Sequence, residues 1–193
     1  LRGRGHRAVR LETERLILRP WKDADKKAYA AIIGDPEVRR FFPSVGTYAD
    51  AEAGIERAKQ RLQEVGFSFL AVERKADGAF MGMLGMAPFR DELREVIPGR
   101  PAVEIGWQLG KRFWGNGYAP EGARAFLDYA WMPLGLPEVV AITYEGNWPS
   151  RRVMEKIGMT HDPKGSFEHP DIPPGHKLRS HVLYRIVNPA LGL

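Results

Sequence analysis

The stretch 103–131 constrains the fold more than any other part of this chain. Residues 103–109 (VEIGWQL) alternate between apolar side chains and polar or small ones, which predicts a strand with one apolar face. A glycine-rich segment follows, and residues 119–131 then place apolar side chains at helical spacing, with Pro120 in the first turn. A strand that leads through glycines into a helix N-terminus predicts an anion site, because the first N–H groups of a helix have no partners inside it.

The residues around Gly115 and Gly117 distinguish between several kinds of phosphate-binding loop. A nucleotide-triphosphate loop needs Lys-Ser/Thr directly after its last glycine, and no such pair follows Gly117. A dinucleotide fingerprint needs a third glycine where this chain has Pro120. Lys111 and Arg112 add positive charge beside the loop. A coenzyme pyrophosphate therefore fits the pattern, and a simple connecting turn is the alternative.

The remaining pattern predicts a mixed α/β domain with a single sheet. Asp77-Gly78 separates two strand-like segments and predicts a hairpin, since glycine tolerates the positive φ of a tight turn. Asp23 is a candidate N-cap for the first helix. We predict strands at 15–21, 67–74, 79–86, 103–109, 139–144 and 181–187, helices at 23–33, 47–64, 119–131 and 149–157, and loops at 88–101 and 162–180.

Composition excludes several kinds of chemistry. The chain has 193 residues and no cysteine, so disulfides, thiolate metal sites and a cysteine acyl-enzyme are excluded. His169 and His176 match no metal-binding spacing, so no metal is expected. No apolar run is long enough to span a bilayer and no secretory signal is visible, and we therefore expect a cytoplasmic protein with no membrane partner.

The formal net charge of +5 favours anionic partners, either a polyphosphate cofactor or nucleic acid. Part of the excess lies in residues 1–10, which we predict to be a basic arm that need not be ordered, ahead of one domain at 11–193. No nucleic-acid motif is present and no aromatic residue interleaves the arginines of the arm, so nucleic acid is the weaker alternative.

Four segments carry a resemblance to a known family. Residues 112–119 (RFWGNGYA) resemble the Arg/Gln-x-x-Gly-x-Gly/Ala coenzyme A loop of the GNAT acetyltransferase superfamily. Residues 147–159 (NWPSRRVMEKIGM) resemble the Asn-x-x-Ser-x-x-x-x-x-Lys-x-Gly-Phe/Met signature of its RimJ/RimL-like branch, the ribosomal-protein N-terminal acetyltransferases. Residues 11–20 and 181–184 resemble the opening and closing strands of the same branch. The resemblance runs from about residue 11 to 187, nearly the whole chain.

This resemblance implies a mostly antiparallel mixed sheet, splayed open between its fourth and fifth strands, with helices on both faces. It implies acetyl-CoA as cosubstrate, with the pantetheine arm in the splay and the pyrophosphate on the loop. The implied cofactor-binding residues are Trp107, Gln108, Leu109, Arg112, Phe113, Trp114, Gly115, Asn116, Gly117, Tyr118, Ala119, Asn147 and Ser150. For Asn147, a helix cap and a cofactor contact are equally open.

Acetylation needs a neutral amine and a donor for the departing thiolate. Glu104 is the candidate base, since it lies opposite the apolar row of its strand and the family commonly has a glutamate there. Ser150 is the candidate donor by its position in the 147–159 motif, and residues 153–156 lack the tyrosine that many relatives outside this branch use. A solvated strand glutamate and a helix-capping serine are the alternatives. Without cysteine, direct transfer in a ternary complex is the simpler scheme.

These patterns predict an acetyl-CoA-dependent N-acetyltransferase, acting on a protein N-terminus or on a small-molecule amine. A coenzyme A-binding module without catalysis is the alternative. Acceptor specificity should lie in the first two helices and in the loops 88–101 and 162–180. A homodimer is left open.

Overall fold

The computed structural model describes residues 9–192. Within that range a 3₁₀ turn follows β5 at Lys111–Phe113 and another follows β8 at Pro189–Leu191. The strands and helices are β1 Leu11–Glu12, β2 Leu16–Arg19, α1 Asp25–Ile33, α2 Tyr48–Val65, β3 Phe69–Arg74, β4 Phe80–Pro88, α3 Asp91–Val96, β5 Val103–Leu109, α4 Tyr118–Trp131, β6 Glu138–Tyr144, α5 Trp148–Lys156, β7 Thr160–Glu168 and β8 Ser180–Val187.

All eight strands form one sheet in the order β1-β2-β3-β4-β5-β6-β8-β7, and every neighbouring pair is antiparallel except β5 and β6. β4 and β5 stay in register from Gly82 opposite Leu109 to Pro88 opposite Val103. Within the described residues, β5 and β6 share one registered pair, Glu104 opposite Val140. The strands therefore separate beyond Glu104, which is the predicted splay between 103–109 and 139–144.

The two faces of the sheet are covered by different helices. Side chains of β2 to β6 and β8 pack with α4 and α5 in the largest apolar cluster, which includes Phe126, Met154 and Tyr184. On the opposite face, Trp21 and Ala71 pack against Ile55 and Ala58 of α2. A third cluster, around Leu93, Val140 and Leu183, packs α3 beside β6 and β8. The predicted single α/β domain with helices on both faces is confirmed.

Helix boundaries follow local chemistry in two cases and depart from prediction in a third. Thr47 and Asp50 form a capping box at the start of α2, and Gly66 ends this helix at φ 85°. The prediction of Asp23 as N-cap of α1 is wrong: Ala24 occupies that position without a side-chain cap. The Asp23 carboxylate instead accepts from Lys59 Nζ at 3.0 Å, an ion pair that links the two helices.

Two segments predicted as loops contain regular structure. Residues 88–101 include α3, whose single buried anchor, Leu93, is too little to produce a helical pattern. Residues 162–180 begin inside β7, where the register with β8 shifts between Asp162 and Phe167. That irregularity, with Pro163 inside the strand, removes the alternation by which a strand is recognised.

The basic arm predicted at 1–10 lies largely outside the described residues. Of its described part, Val9 is buried in the main core and Arg10 pairs with Glu12. The chain therefore packs against the domain from Val9 onward.

Candidate active site

Strand β5 presents different side chains to the two faces of the sheet. Val103, Ile105 and Leu109 are buried in the core shared with α4, and Trp107 packs against it. Glu104, Gly106 and Gln108 point to the opposite face, as the sequence pattern predicts. A Cβ atom on Gly106 would come within 3.3 Å of the Phe69 ring, so that face is closely packed beside Glu104.

Glu104 stands where β5 and β6 begin to separate. Its carboxylate is half-buried and has neither a hydrogen bond nor an ion pair among residues 9–192. Burial raises the pKa of Glu104 to about 7, and the positive charge of Arg61 on α2 opposes that rise. A carboxyl group with a pKa near neutrality can accept a proton at physiological pH, which is the property required of a base.

Internal hydrogen bonds hold the segment between β5 and α4. Trp114 donates from Nε1 to the carbonyl of Leu109 at 2.9 Å, and the Asn116 side-chain amide donates to the carbonyl of Trp114 at 2.9 Å. Gly115 and Gly117 take φ values of 76° and 77°, which residues with a side chain rarely adopt. These glycines turn the loop so that α4 begins immediately after it.

Five successive backbone amides in this loop, at 115–119, donate no hydrogen bond within the described chain. Gly117 is the N-cap of α4 and has no side chain to offer, and Pro120 has no N–H. The N–H groups thus remain available to an external anion, and the positive end of α4 adds to the attraction. The exposed Lys111 and Arg112 contribute charge beside them.

The side chains of the loop differ in accessibility. Phe113 is buried in the core, so only its backbone is available to a ligand. Trp114 is 40% exposed. The Tyr118 ring is half-buried and lies 4.3 Å from the Arg15 guanidinium.

Asn147 ties the end of β6 to the start of α5. Its Nδ2 donates to Thr143 Oγ1 at 2.9 Å, and its Oδ1 accepts from the backbone N–H of Ser150 at 3.3 Å. Asn147 therefore caps the helix, and one Nδ2 hydrogen remains for any cofactor contact. The Ser150 hydroxyl has no partner among residues 9–192, so it is free to donate.

The parallel arrangement of β5 and β6 brings these parts together. Since both strands run in the same direction, the helices that follow them, α4 and α5, begin at the same edge of the sheet. The free amides at 115–119 and the Ser150 hydroxyl thus flank one end of the splay. Glu104 lies at its other end, where the two strands still pair.

Sequence reasoning missed two residues at the site. Arg61 lies on α2 and its charge acts on Glu104, and no motif in the sequence pointed to it. Arg151 donates from Nε to the Tyr184 hydroxyl at 3.0 Å and from Nη1 to the carbonyl of Glu145 at 2.7 Å. These hydrogen bonds hold the start of α5 against β8. No residue spacing in the sequence predicts them.

Two absences hold for residues 9–192. In that range no three His, Cys, Asp or Glu side chains come together as a metal site would require. None of the described helices has the length and apolar character needed to cross a membrane.

Comparisons of this chain with known proteins agree on one family. A family model described as an acetyltransferase (GNAT) domain matches residues 15–160. The uncharacterized protein YkkB of Bacillus subtilis is 32% identical over 78% of this chain and 85% of its own length. The FsC-acetyl coenzyme A-N(2)-transacetylase of Aspergillus fumigatus is 37% identical over 58% of this chain and 47% of its own length.

Solved structures agree on the fold. An acetyltransferase (GNAT family) from Bacillus anthracis is 26% identical with a TM-score of 0.75, covering 94% of this chain and 99% of that one. A ribosomal-protein alanine acetyltransferase from Vibrio fischeri, 17% identical with a TM-score of 0.67, covers 93% and 97% and shares the fold alone. The splayed sheet, the free amides before α4 and the family match agree: the chain is an acetyltransferase and belongs to the GNAT family.

Proposed function

We propose that this chain transfers the acetyl group of acetyl-CoA directly to a primary amine in a ternary complex. The observation that carries the proposal is the row of five free amides at 115–119, at one end of a splay whose other end holds Glu104. The amides suit a pyrophosphate. The carboxylate suits an amine that must lose a proton.

The backbone of β5 supports the placement of the pantetheine arm. Beyond Glu104, the N–H and C=O groups of β5 that point toward β6 have no strand partner within the described residues. Such groups need hydrogen bonds from elsewhere, and the two amides of a pantetheine arm supply them. Trp107, Gln108 and Leu109 would then line the arm, through their backbone.

The residues divide the proton work between them. Glu104 accepts a proton from the amine, directly or through water, as the new N–C bond forms and the C–S bond breaks. Ser150 donates a hydrogen bond to the sulfur as negative charge develops there. Both groups are ready for these roles, since neither is engaged by another described residue.

The proposed branch of the family rests on sequence motifs. The segments 11–20, 147–159 and 181–184 support membership of the RimJ/RimL-like branch, and the absence of cysteine is compatible with a cytoplasmic location. The acceptor would be a protein N-terminus or a small-molecule amine. The name of the Aspergillus relative supports coenzyme A as the acetyl carrier.

The test is release of free thiol from acetyl-CoA in the presence of small amines and N-terminal peptides. We expect amine-dependent release, with the acetyl group recovered on the amine. Tight coenzyme A binding without turnover on any amine would instead favour the non-catalytic binding module.

A further inference from the structure

Helix α2 carries its charges on two different sides. On the side next to α1, lysine and acid pair: Lys59 Nζ lies 3.0 Å from Asp23 and 3.2 Å from Glu56. Arg57 and Arg61 lie on a different stripe of the helix, four residues apart and therefore neighbours on its surface. Neither arginine has a carboxylate within 4.0 Å in the part of the chain that is described. Lys59 is thus held in close ion pairs, whereas the two arginines are not.

Arg39, on the connection between α1 and α2, is a third arginine that forms no ion pair within 4.0 Å among residues 9–192. Its Nε is buried and makes no hydrogen bond, although its guanidinium lies 4.4 Å from the Phe42 ring. Burial lowers the pKa of Arg39. Asp50 is the nearest acid: its charge acts on both Arg39 and Arg57, while its carboxylate accepts from the backbone N–H and the hydroxyl of Thr47 at 2.8 Å.

The three arginines form a band, Arg39, Arg57 and Arg61, that leads toward the base. Arg61 is the cation that acts on Glu104. Arg39 and Arg57 both act on the pKa of Tyr29 on α1 and on that of Asp50, so they lie near one another beside α1.

The α1–α2 connection that carries Arg39 also reaches both arms of the splay. Its Phe41 ring lies 5.8 Å from Tyr144 on β6, and its Arg40 guanidinium lies 6.0 Å from the Trp114 ring after β5. The arginine band therefore borders the splay on the face to which Glu104 points.

Arg39 and Arg57 share one nearby carboxylate, Asp50, so the three guanidinium groups of the band keep an excess of positive charge, and this excess favours a ligand that supplies negative charge. We propose that the amine acceptor also carries an anionic group, a carboxylate or a phosphate, which the arginine band binds while Glu104 takes the amine proton. This inference rests on the proposed acetyl transfer and adds the class of acceptor. Arginine suits both anions, since its planar fork donates two parallel hydrogen bonds.

The first experiment compares amines that differ in one group. Acetyl transfer is measured for ω-amino acids from glycine to 6-aminohexanoate, each against its own primary amide, and for the matching aminoalkylphosphonates and diamines. At the best chain length we expect kcat/KM for an anionic acceptor to exceed that of its amide about tenfold or more, the scale of hydrogen bonds to a charged group. The acid and phosphonate series decide which anion is bound. Equal or better transfer to amides and diamines would overturn the proposal while leaving acetyl transfer intact.

Variants locate the anion site. Arg57→Gln should reduce kcat/KM for the anionic acceptor about tenfold while leaving the amide unchanged. Arg61→Gln should lower transfer to the acid about tenfold more than transfer to the amide, which also changes because the Arg61 charge acts on Glu104. Lys27→Gln, which removes an exposed cation of α1 that has no ion pair among the described residues, is the matched control. If both arginine variants lower transfer to the acid and to its amide equally, the arginine band does not bind the anionic group. Arg57 is exposed, so this variant tests the proposal even if replacements of Arg39 fail to fold.

A binding measurement separates this proposal from the proposed function. N-Acetyl-ω-amino acids are titrated calorimetrically into the protein saturated with coenzyme A. Binding to the unmodified protein that is weaker in Arg57→Gln supports the anion site. If no turnover is found beside such binding, the proposed acetyl transfer fails and the anion site stands. No binding of acids or phosphonates at any chain length overturns the anion site.

Discussion

Glu104 is a carboxyl group that the fold keeps half-buried without a hydrogen bond from any described residue. Burial raises its pKa to about 7 from an ordinary value of 4.5. A carboxyl group with a raised folded-state pKa opposes folding once it ionises, so its contribution to stability is lost as pH rises from about 4.5 to about 7. Glu104→Gln should therefore raise the free energy of unfolding at pH 8 by roughly 1 to 3 kcal/mol and change it little at pH 4. Urea denaturation at the two pH values measures this, and an equal effect at both would show that ionisation is not the cause.

The same pKa sets the pH dependence of turnover. A base must be deprotonated, so kcat/KM should rise with pH through a limb near 7. Glu104→Gln should lower turnover at neutral pH by roughly 10²-fold, and higher pH should partly restore it as free amine accumulates. Coenzyme A affinity should barely change. Full activity of the variant at pH 7 would remove Glu104 from the mechanism.

Ser150 offers a free hydroxyl at the start of α5, while its backbone N–H is held by Asn147. Ser150→Ala should keep that backbone bond and remove only the donor to the thiolate. We expect turnover to fall more than coenzyme A affinity does, since the bond matters most as charge develops on sulfur. Steady-state kinetics together with calorimetry of coenzyme A binding separates the two. If turnover is unchanged, the role of Ser150 is confined to the helix end.

At the scale of elements, the segment from β5 to α4 depends on backbone conformation at Gly117. A Cβ there would meet only Arg15 Nη2, at 3.7 Å, so space inside the chain is not limiting, but φ is 77°. Gly117→Val should therefore shift the amides at 115–119 and place a branched side chain beside them, weakening coenzyme A binding about tenfold or more. Gly135→Val, at φ 62° and with open space at the far end of α4, is the matched control. It should lower stability to a similar extent without affecting affinity, and equal affinities in the two variants would reject the phosphate placement.

Elements were predictable from sequence where the chain alternates or repeats regularly. β5 shows clean alternation and α4 has a wide apolar stripe, so both were predicted within one residue. α3 buries one apolar side chain and β7 shifts register in mid-strand, and neither leaves a periodic signal. The free amides at 115–119 were predictable from the glycines, because a helix start lacks internal partners. The arginine band was not, since Arg39 and Arg57 come together only through the packing of α1 on α2.

At the scale of the whole molecule, one parallel pair in an otherwise antiparallel sheet organises the site. The crossover through α4 places β6 beside β5, and their pairing stops after Glu104. The core continues across the gap because α4 and α5 pack beneath both strands. The centre of the sheet thus has backbone groups without strand partners, while the apolar layer on one face remains continuous.

This design predicts that ligand binding stabilises the entire domain. A ligand that bridges β5, the loop before α4 and the start of α5 binds only the folded chain, so it raises the free energy of unfolding by mass action. At coenzyme A concentrations about 100 times Kd the gain is about 2.7 kcal/mol. For a domain of this size that corresponds to a rise in Tm of about 5 to 10 °C. Differential scanning fluorimetry over a coenzyme A titration measures it, with Gly117→Val expected to need higher concentrations for the same shift. Dephospho-coenzyme A keeps the pyrophosphate, to which the amides at 115–119 are assigned, so it should retain most of the stabilisation. Pantetheine has no pyrophosphate and should retain little. An unchanged Tm at saturating coenzyme A would contradict the site as a whole, and equal stabilisation by pantetheine would show that the loop holds no phosphate.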